Sequence, residues 1–290
     1  MLIFSRDGLQ IRPNAPNAHS LNIYVPLCKI NKTMKQPLII VKVGGAVVED
    51  EAQLHDLLKN FSAIPGKKVL VHGGGRRATK VAASLGIESK MVGGRRITDS
   101  KMLEVVTMVY GGMVNKNLVA QLQAHGVNAL GLTGADINAI RSHRRPLRDG
   151  IDFGFVGDID SADGAALHHL IDMGITPVMA PLTHDGHGQL LNTNADTIAS
   201  TVAIALAPFY DVTLVYAFEQ PGVMDGTGTT AQVIPTITHD SFQTLVADGT
   251  ISGGMIPKIE NALAAVGQGV QKVVITRADA IDGTKGTMVM

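Results

Sequence analysis

The sequence predicts an α/β fold, a mostly parallel open sheet with helices on both faces, from three observations. From Leu38 onward, short apolar runs alternate with amphipathic stretches, the pattern of successive βαβ units. The apolar residues stand at consecutive positions, as in strands buried on both faces of a parallel sheet. Two of the runs end in glycines, at Lys42-Val43-Gly44-Gly45 and His72-Gly73-Gly74-Gly75.

Taken in order, residues 1–33 carry Pro13, Pro16 and Pro26 among many asparagines and have no sustained helical period. They read as an extension without an ordered fold of its own. Met34 stands directly before the first strand, so an over-extended reading frame, a tail and an edge strand are all open readings. The first strand begins at Leu38 and a helix covers 51–61; a second strand begins at Val69 and a helix covers 77–85. Residues 99–125 form the longest helical stretch, with Thr98 or Asp99 as its N-cap. Later strands are expected over 129–132, 176–179, 212–216 and 272–276, with a helix over 197–206. The polar run 183–189 marks a boundary between two lobes, 34–183 and 184–290.

Composition narrows the function. The chain has 290 residues, 45% hydrophobic and 17% charged, which suits a packed globular protein. Lys+Arg and Asp+Glu are balanced at 25 each, so no broad surface for nucleic acid or anionic membrane is expected. A single cysteine, Cys28, cannot form an internal disulfide, in keeping with a reducing cytoplasm. No apolar run approaches the roughly 20 residues of a membrane span, and a secretory n-region is lacking.

The chemistry therefore sits in local motifs. Glycines at the carboxyl end of a parallel strand let backbone N–H groups approach phosphate oxygens, and Lys42 adds a cation; a tight strand-to-helix turn is the other reading. Two such loops could face one another across one crevice. Neither a Walker A loop nor a Gly-x-Gly-x-x-Gly fingerprint occurs. His72 reads as a packed strand-end histidine rather than a base. Gly93-Gly94-Arg95-Arg96 offers a guanidinium for a carboxylate, with a solvated surface arginine as the alternative. Asn192-Thr193-Asn194-Ala195-Asp196 places three polar side chains on one side of an extended segment. A helix cap accounts for one of them. Gly253-Gly254-Met255-Ile256-Pro257-Lys258 supplies a second lysine after flexible backbone, and His184-Asp185-Gly186-His187 reads as a hairpin turn rather than a metal pair.

Together with Asn115-Lys116-x-Leu118-Val119, these motifs occur in the order and approximate spacing of the N-acetylglutamate kinases, within the amino-acid kinase family. The chain resembles that family from about Lys35 to Met290. The resemblance implies transfer of the γ-phosphoryl group of ATP to the side-chain carboxylate of N-acetylglutamate in arginine biosynthesis. By the same resemblance Lys42 and Lys258 stabilise the transferring group, and Asp196 orients both lysines. Gly44 and Gly45 face the nucleotide phosphates, while Gly73 and Gly74 face the acceptor carboxylate and the moving phosphoryl. Arg96 and Asn192 hold the α-carboxylate, with Asn194 beside them. Glu219, Asp225 and Gly226 belong to the nucleotide side. Mg²⁺ arrives on ATP, so no protein metal site is expected.

Two departures from the family stand out. Relatives usually carry Asp or Asn followed by Val in the loop after the 212–216 strand, where this chain reads Phe218-Glu219-Gln220-Pro221. Arg95 adds a second guanidinium where an uncharged residue is common, which opens N-succinylglutamate as an alternative substrate. Other readings are a kinase of another acidic amino acid or of carbamate, and a non-catalytic amino-acid or nucleotide sensor. Met102, Val105, Val106, Val109 and Met113 recur at helical spacing and resemble the family's dimer-forming helix; core packing within one subunit is the other account. A homodimer is expected, and, because residues 1–33 lack an amphipathic helix, one without arginine feedback.

Overall fold

The computed structural model describes residues 2–5, 8–11, 35–226, 231–253 and 255–290. The chain divides into two units, Met1–Lys35 and Gln36–Met290. In the first, β1 (Leu2–Ser5) pairs antiparallel with β2 (Gly8–Ile11), an element absent from the sequence reading. The expectations about the extension otherwise fall outside the described residues.

The second unit opens with β3 (Gln36–Val43), α1 (Gly45–Glu49), α2 (Glu51–Ala63), β4 (Lys67–His72) and α3 (Gly75–Ser84). A small ribbon, β5 (Met91–Val92) and β6 (Arg95–Arg96), leads into a long helix. That helix is α4 (Ser100–Val106), a π-helical stretch Thr107–Val114, and α5 (Asn115–Ala124). Next come β7 (Ala129–Leu132), β8 (Ile140–Arg144), β9 (Gly157–Ala162), α6 (Gly164–Asp172), β10 (Thr176–Met179), β11 (Leu182–His184) and β12 (Leu190–Asn192). The chain ends with α7 (Ala195–Leu206), β13 (Tyr210–Phe218), β14 (Thr236–Ile237), α8 (His239–Ala247), α9 (Met255–Gly267), β15 (Lys272–Arg277) and β16 (Thr287–Val289).

Eight strands form one sheet in the order β14-β16-β15-β13-β3-β4-β10-β7. From β15 to β7 every neighbour is parallel; β16 pairs antiparallel with β15, and β14 runs parallel to β16. The period of two divides each strand between two cores. Leu38, Ile40, Val69, Val71, Leu214 and Tyr216 pack with residues of α6, α7 and α9. Val41, Val43, Leu70 and Val215 pack on the other face with α2, α3 and the long helix. Each fully buried side chain of this kind contributes about 1.5–3 kcal/mol.

A smaller sheet, β12-β11-β8-β9, was not predicted. Its strands Ile140–Arg144 and Gly157–Ala162 are largely polar and partly exposed, so they lack the apolar run that betrays a central strand. The run 183–189 includes the turn between β11 and β12, where Asp185 Oδ1 accepts from the backbone N–H groups of His187 and Gln189. The hairpin reading of His184 to His187 is thus met. Asp99 is the N-cap of α4, its carboxylate accepting from Met102 N at 2.8 Å. Of the five residues proposed as a dimer stripe, Met102, Val105, Val106 and Val109 are buried in the chain's own core. Met113 is exposed, as is Met108.

Parity also sets polar side chains. Lys68, on the α2 side of β4, is buried and donates to the carbonyls of Phe61, Ser62 and Ile64 at 2.8–2.9 Å. It satisfies the end of α2, where the helix dipole favours a cation. Burial pushes its pKa down. Two positions past Leu70, His72 is fully buried. Its Nδ1–H donates to Gly73 O at 2.8 Å, and Nε2 accepts from Asn115 Nδ2 at 3.1 Å. The same amide donates to Val178 O at 2.9 Å. These partners fix a neutral imidazole, and burial lowers its pKa to about 4. The second glycine loop thereby gains a rigid base tied to β10 and the long helix.

Replacing Lys68 by Met leaves three carbonyls without their donor, and the expected loss is about 2–3 kcal/mol; urea denaturation measures it, and a change within 0.5 kcal/mol refutes the role. For His72 the unfolded chain binds the proton first, because its pKa there is near 6.5 and the folded value is about 4. Stability therefore falls as pH drops from about 6.5 toward 4, by up to about 3 kcal/mol. The difference in urea midpoint between wild type and His72→Gln should shrink across that window; a pH-independent difference contradicts a neutral His72.

Candidate active site

The carboxyl ends of β3, β4 and β13 lie side by side, which is where open parallel sheets bind ligands. Lys42 follows Leu38 and Ile40 on the face covered by α7, so its side chain meets the start of that helix. Its Nζ lies 2.6 Å from Asp196 Oδ1, and the lysine is only 7% exposed. Asp196 stands in the first turn of α7, where the helix dipole favours negative charge. Lys258, in the first turn of α9, approaches from another direction. The ammonium groups of Lys258 and Lys42 lie 3.9 and 5.3 Å from the centroid of the Phe218 ring. Burial is the main cause of a lowered pKa at Lys258; Lys42 adds to the shift, while Asp196 and Glu219 oppose it. Two ammonium groups and one carboxylate thus form a cationic cluster at the carboxyl end of the central strands.

The two glycine loops touch. A Cβ added to Gly45 would lie 3.5 Å from the backbone N of both Gly74 and Gly75 and 3.9 Å from that of Arg76. One added to Gly73 would lie 3.1 Å from Gly45 N. Several amides therefore border a space that any side chain would fill, the arrangement of an anion nest. Gly73 N donates to Val43 O at 3.0 Å, holding the loops together. The facing loops expected from the sequence are observed.

Two clefts meet there. One, of about 490 Å³, is bordered by Gly44, Gly45, Phe218, Glu219 and Lys258. The other, of about 190 Å³, is bordered by Gly73, Gly74, Arg95, Arg96, Tyr110 and Asn192. Gly45 and Gly75 border both. In the smaller cleft Arg96 is buried, with Nη2 donating to Gly75 O and Thr79 Oγ1 at 2.9 Å each. Its Nη1 is buried without a hydrogen-bond partner among the described residues. An anion in the cleft would supply one. Asn192 donates to Thr98 Oγ1 at 2.9 Å, which orients it beside Arg96.

Other expected residues stand differently. Asn194 borders the smaller cleft but is exposed, and its Oδ1 accepts from the N–H groups of Asp196 and Thr197 as the N-cap of α7. Glu219 lies 3.7 Å from Arg76 Nη2, both side chains being exposed. Asp225 and Gly226 are not among the residues bordering the larger cleft. Asp225 exchanges hydrogen bonds with Gln232, its N–H donating to Gln232 O and its Oδ1 accepting from Gln232 N. Gly254 lies outside the described residues.

Two site residues escaped the sequence reading. Phe218 sits two positions after Tyr216, a spacing that puts both rings on one face, and they stack at 6.1 Å. Tyr110 lies in the π-helical stretch; a Cβ on Gly74 would come within 2.9 Å of its ring. Burial raises the Tyr110 pKa, against an opposing effect of Arg96. Nothing in an amphipathic helix pattern marks that tyrosine.

Comparison with known proteins bears on this geometry. The model of the amino acid kinase family matches residues 37–277. A Bacteroides fragilis protein named acetylglutamate kinase is 59% identical over 260 residues, covering 90% of this chain and 99% of the relative. A Bacteroides thetaiotaomicron protein of the same name is 60% identical over 256 residues, covering 88% and 99%. Among solved structures, the Streptococcus mutans UA159 protein smu.665 superposes with a TM-score of 0.71 at 28% identity, covering 87% of this chain and 98% of that one. On the family match and on relatives of this similarity, the chain belongs to the amino acid kinase family, alongside the acetylglutamate kinases.

Proposed function

We propose that the protein catalyses ATP-dependent phosphorylation of the γ-carboxylate of N-acetyl-L-glutamate, a step of arginine biosynthesis. The observation that carries the reading is the meeting of a larger and a smaller cleft at Gly45 and Gly75, beside Lys42, Lys258 and Asp196. Relatives named acetylglutamate kinase at 59–60% identity support the reaction and its substrate.

In this reading ATP occupies the larger cleft and the acylglutamate the smaller, which assigns the nucleotide largely to 184–290 and the acceptor largely to 34–183. The buried Nη1 of Arg96 and the Asn192 amide take the α-carboxylate. The γ-carboxylate then points at the glycine amides. One of its oxygens forms a bond to the γ-phosphorus while the bond to the β,γ-bridging oxygen breaks, and ADP leaves with that electron pair. A carboxylate is already ionised at neutral pH, so no general base is required, and a neutral His72 agrees with that. The demand is electrostatic: negative charge spreads over the transferring group. Lys42 and Lys258 meet it, and Asp196 keeps the two ammonium groups in place. Mg²⁺ carried on ATP neutralises part of the polyphosphate charge.

Arg96 and Asn192 favour this acceptor over carbamate, which has no α-carboxylate. No helix among the described residues is long and apolar enough to cross a membrane, and we place the enzyme in the cytoplasm. A homodimer is supported by the exposed Met108 and Met113 and by edge strand β7, with Leu130 exposed on it.

With ATP, Mg²⁺, N-acetylglutamate and hydroxylamine, the enzyme should give ATP-dependent hydroxamate from the trapped acyl phosphate; a protein that gives none is a sensor rather than a kinase. Lys258→Ala should lower kcat by about 10²–10³-fold with KM changed only a few-fold, because its charge is needed mainly in the transition state. An effect confined to KM contradicts that role. Light scattering should return twice the chain mass of 30.5 kDa; a monomer or hexamer refutes the dimer.

A further inference from the structure

The smaller cleft holds more positive charge than an acetylated glutamate can use. Arg96 is the buried member of ribbon β6, and its neighbour Arg95 is exposed at the border of the same cleft. Val156, also on that border, accepts a hydrogen bond from Arg145 N at 2.8 Å, so the β8–β9 connection brings further basic residues alongside. The acidic residue of this group is Asp158. Arg145 already engages it, its Nε lying 3.1 Å from both carboxylate oxygens. Among the described residues neither Arg95 nor Arg148 has an ion-pair partner. Partial burial, followed by the positive charge of Arg145, pushes the Arg95 pKa down; Asp158 opposes the shift and Arg148 adds to it. Arg95 thus borders the cleft with Arg145 and Arg148 close enough to act on its charge, against one carboxylate already in use.

The substrate chemistry then leaves a remainder. The reading above gives the γ-carboxylate to the glycine amides and the α-carboxylate to Arg96 and Asn192. An acetyl group ends in a methyl, which offers nothing to a guanidinium. An acyl group ending in a second carboxylate would accept two parallel hydrogen bonds from Arg95, within the positive field of Arg145 and Arg148.

We infer that Arg95 forms a subsite for a terminal carboxylate on the N-acyl group, so that the enzyme prefers glutamates acylated by a dicarboxylic acid, such as N-succinylglutamate. The inference rests on the kinase reading and names the acyl class within it. Arg95 is a specificity residue here: it touches the acyl end and not the reacting atoms.

The test compares three substrates, N-acetyl-, N-butyryl- and N-succinylglutamate, by hydroxamate formation with wild type, Arg95→Gln and Arg148→Gln. Butyryl matches succinyl in chain length and lacks only its charge. The expected result is a kcat/KM for succinyl about 10- to 100-fold above butyryl in wild type. That ratio should fall to within about threefold of unity in Arg95→Gln, with a smaller fall in Arg148→Gln. Because each ratio is taken within one variant, a general folding loss cancels. Turnover of acetyl or butyryl that equals or exceeds succinyl overturns the subsite and leaves the kinase reading standing, as does a ratio unmoved by Arg95→Gln. Hydroxamate from none of the three overturns both.

Discussion

The ion pair between Lys42 and Asp196 ties the centre of the sheet to the helix that begins beside it, and the rest of the site is arranged around that tie. Lys42 ends a run of residues whose even-numbered members face α7, and Asp196 opens that helix. Neither partner is free to settle elsewhere: one is fixed by strand parity, the other by the N-cap Asn194 two residues before it. A lysine this buried needs a carboxylate beside it to offset the cost of taking its charge out of water. With Asp196 beside it, and with Lys258 converging on the same Phe218 ring, two cations can be held close together before any ligand arrives.

This advance placement matters because the reaction brings anions together and moves no proton. In the proposed mechanism the protein's contribution is fixed positive potential: two ammonium groups, a set of amides bordering a side-chain-free space, and a guanidinium with an unused donor. Groups in such positions need not reorganise as charge shifts in the transition state. The histidine nearest the glycines is kept out of proton chemistry altogether by burial and by two partners that define its tautomer.

Much of this was legible in the sequence. Consecutive apolar residues marked strands of the main sheet, two of them, Ala129–Leu132 and Thr176–Met179, with the bounds observed. Glycine-ended strands marked the crevice, and separate lysines marked its charge. What stayed hidden has physical reasons. The small sheet is made of short polar strands whose ladder hydrogen bonds, and not an apolar face, define them. The proposed dimer stripe could not be told from a core stripe, since both require the same helical spacing, and four of its five residues are core. Asn194 took the capping role that its residue type favours. Tyr110 and Phe218 reach the site only through tertiary packing.

The π-helical stretch Thr107–Val114 has a consequence for how the long helix tolerates change. It lies between α4, whose N-cap Asp99 follows Arg96 by three residues, and Asn115, which holds His72. Tyr110 inside it packs on Gly74. A wider turn absorbs residues that an α-helical path of equal length would not, and each residue of an α-helix advances the face by about 100°. Regular α-helical winding of the same residues would change the phase of the helix: the parts before and after the stretch could no longer both meet the same glycine loop. The winding of the stretch therefore sets the phase between the arginine ribbon and the second glycine loop.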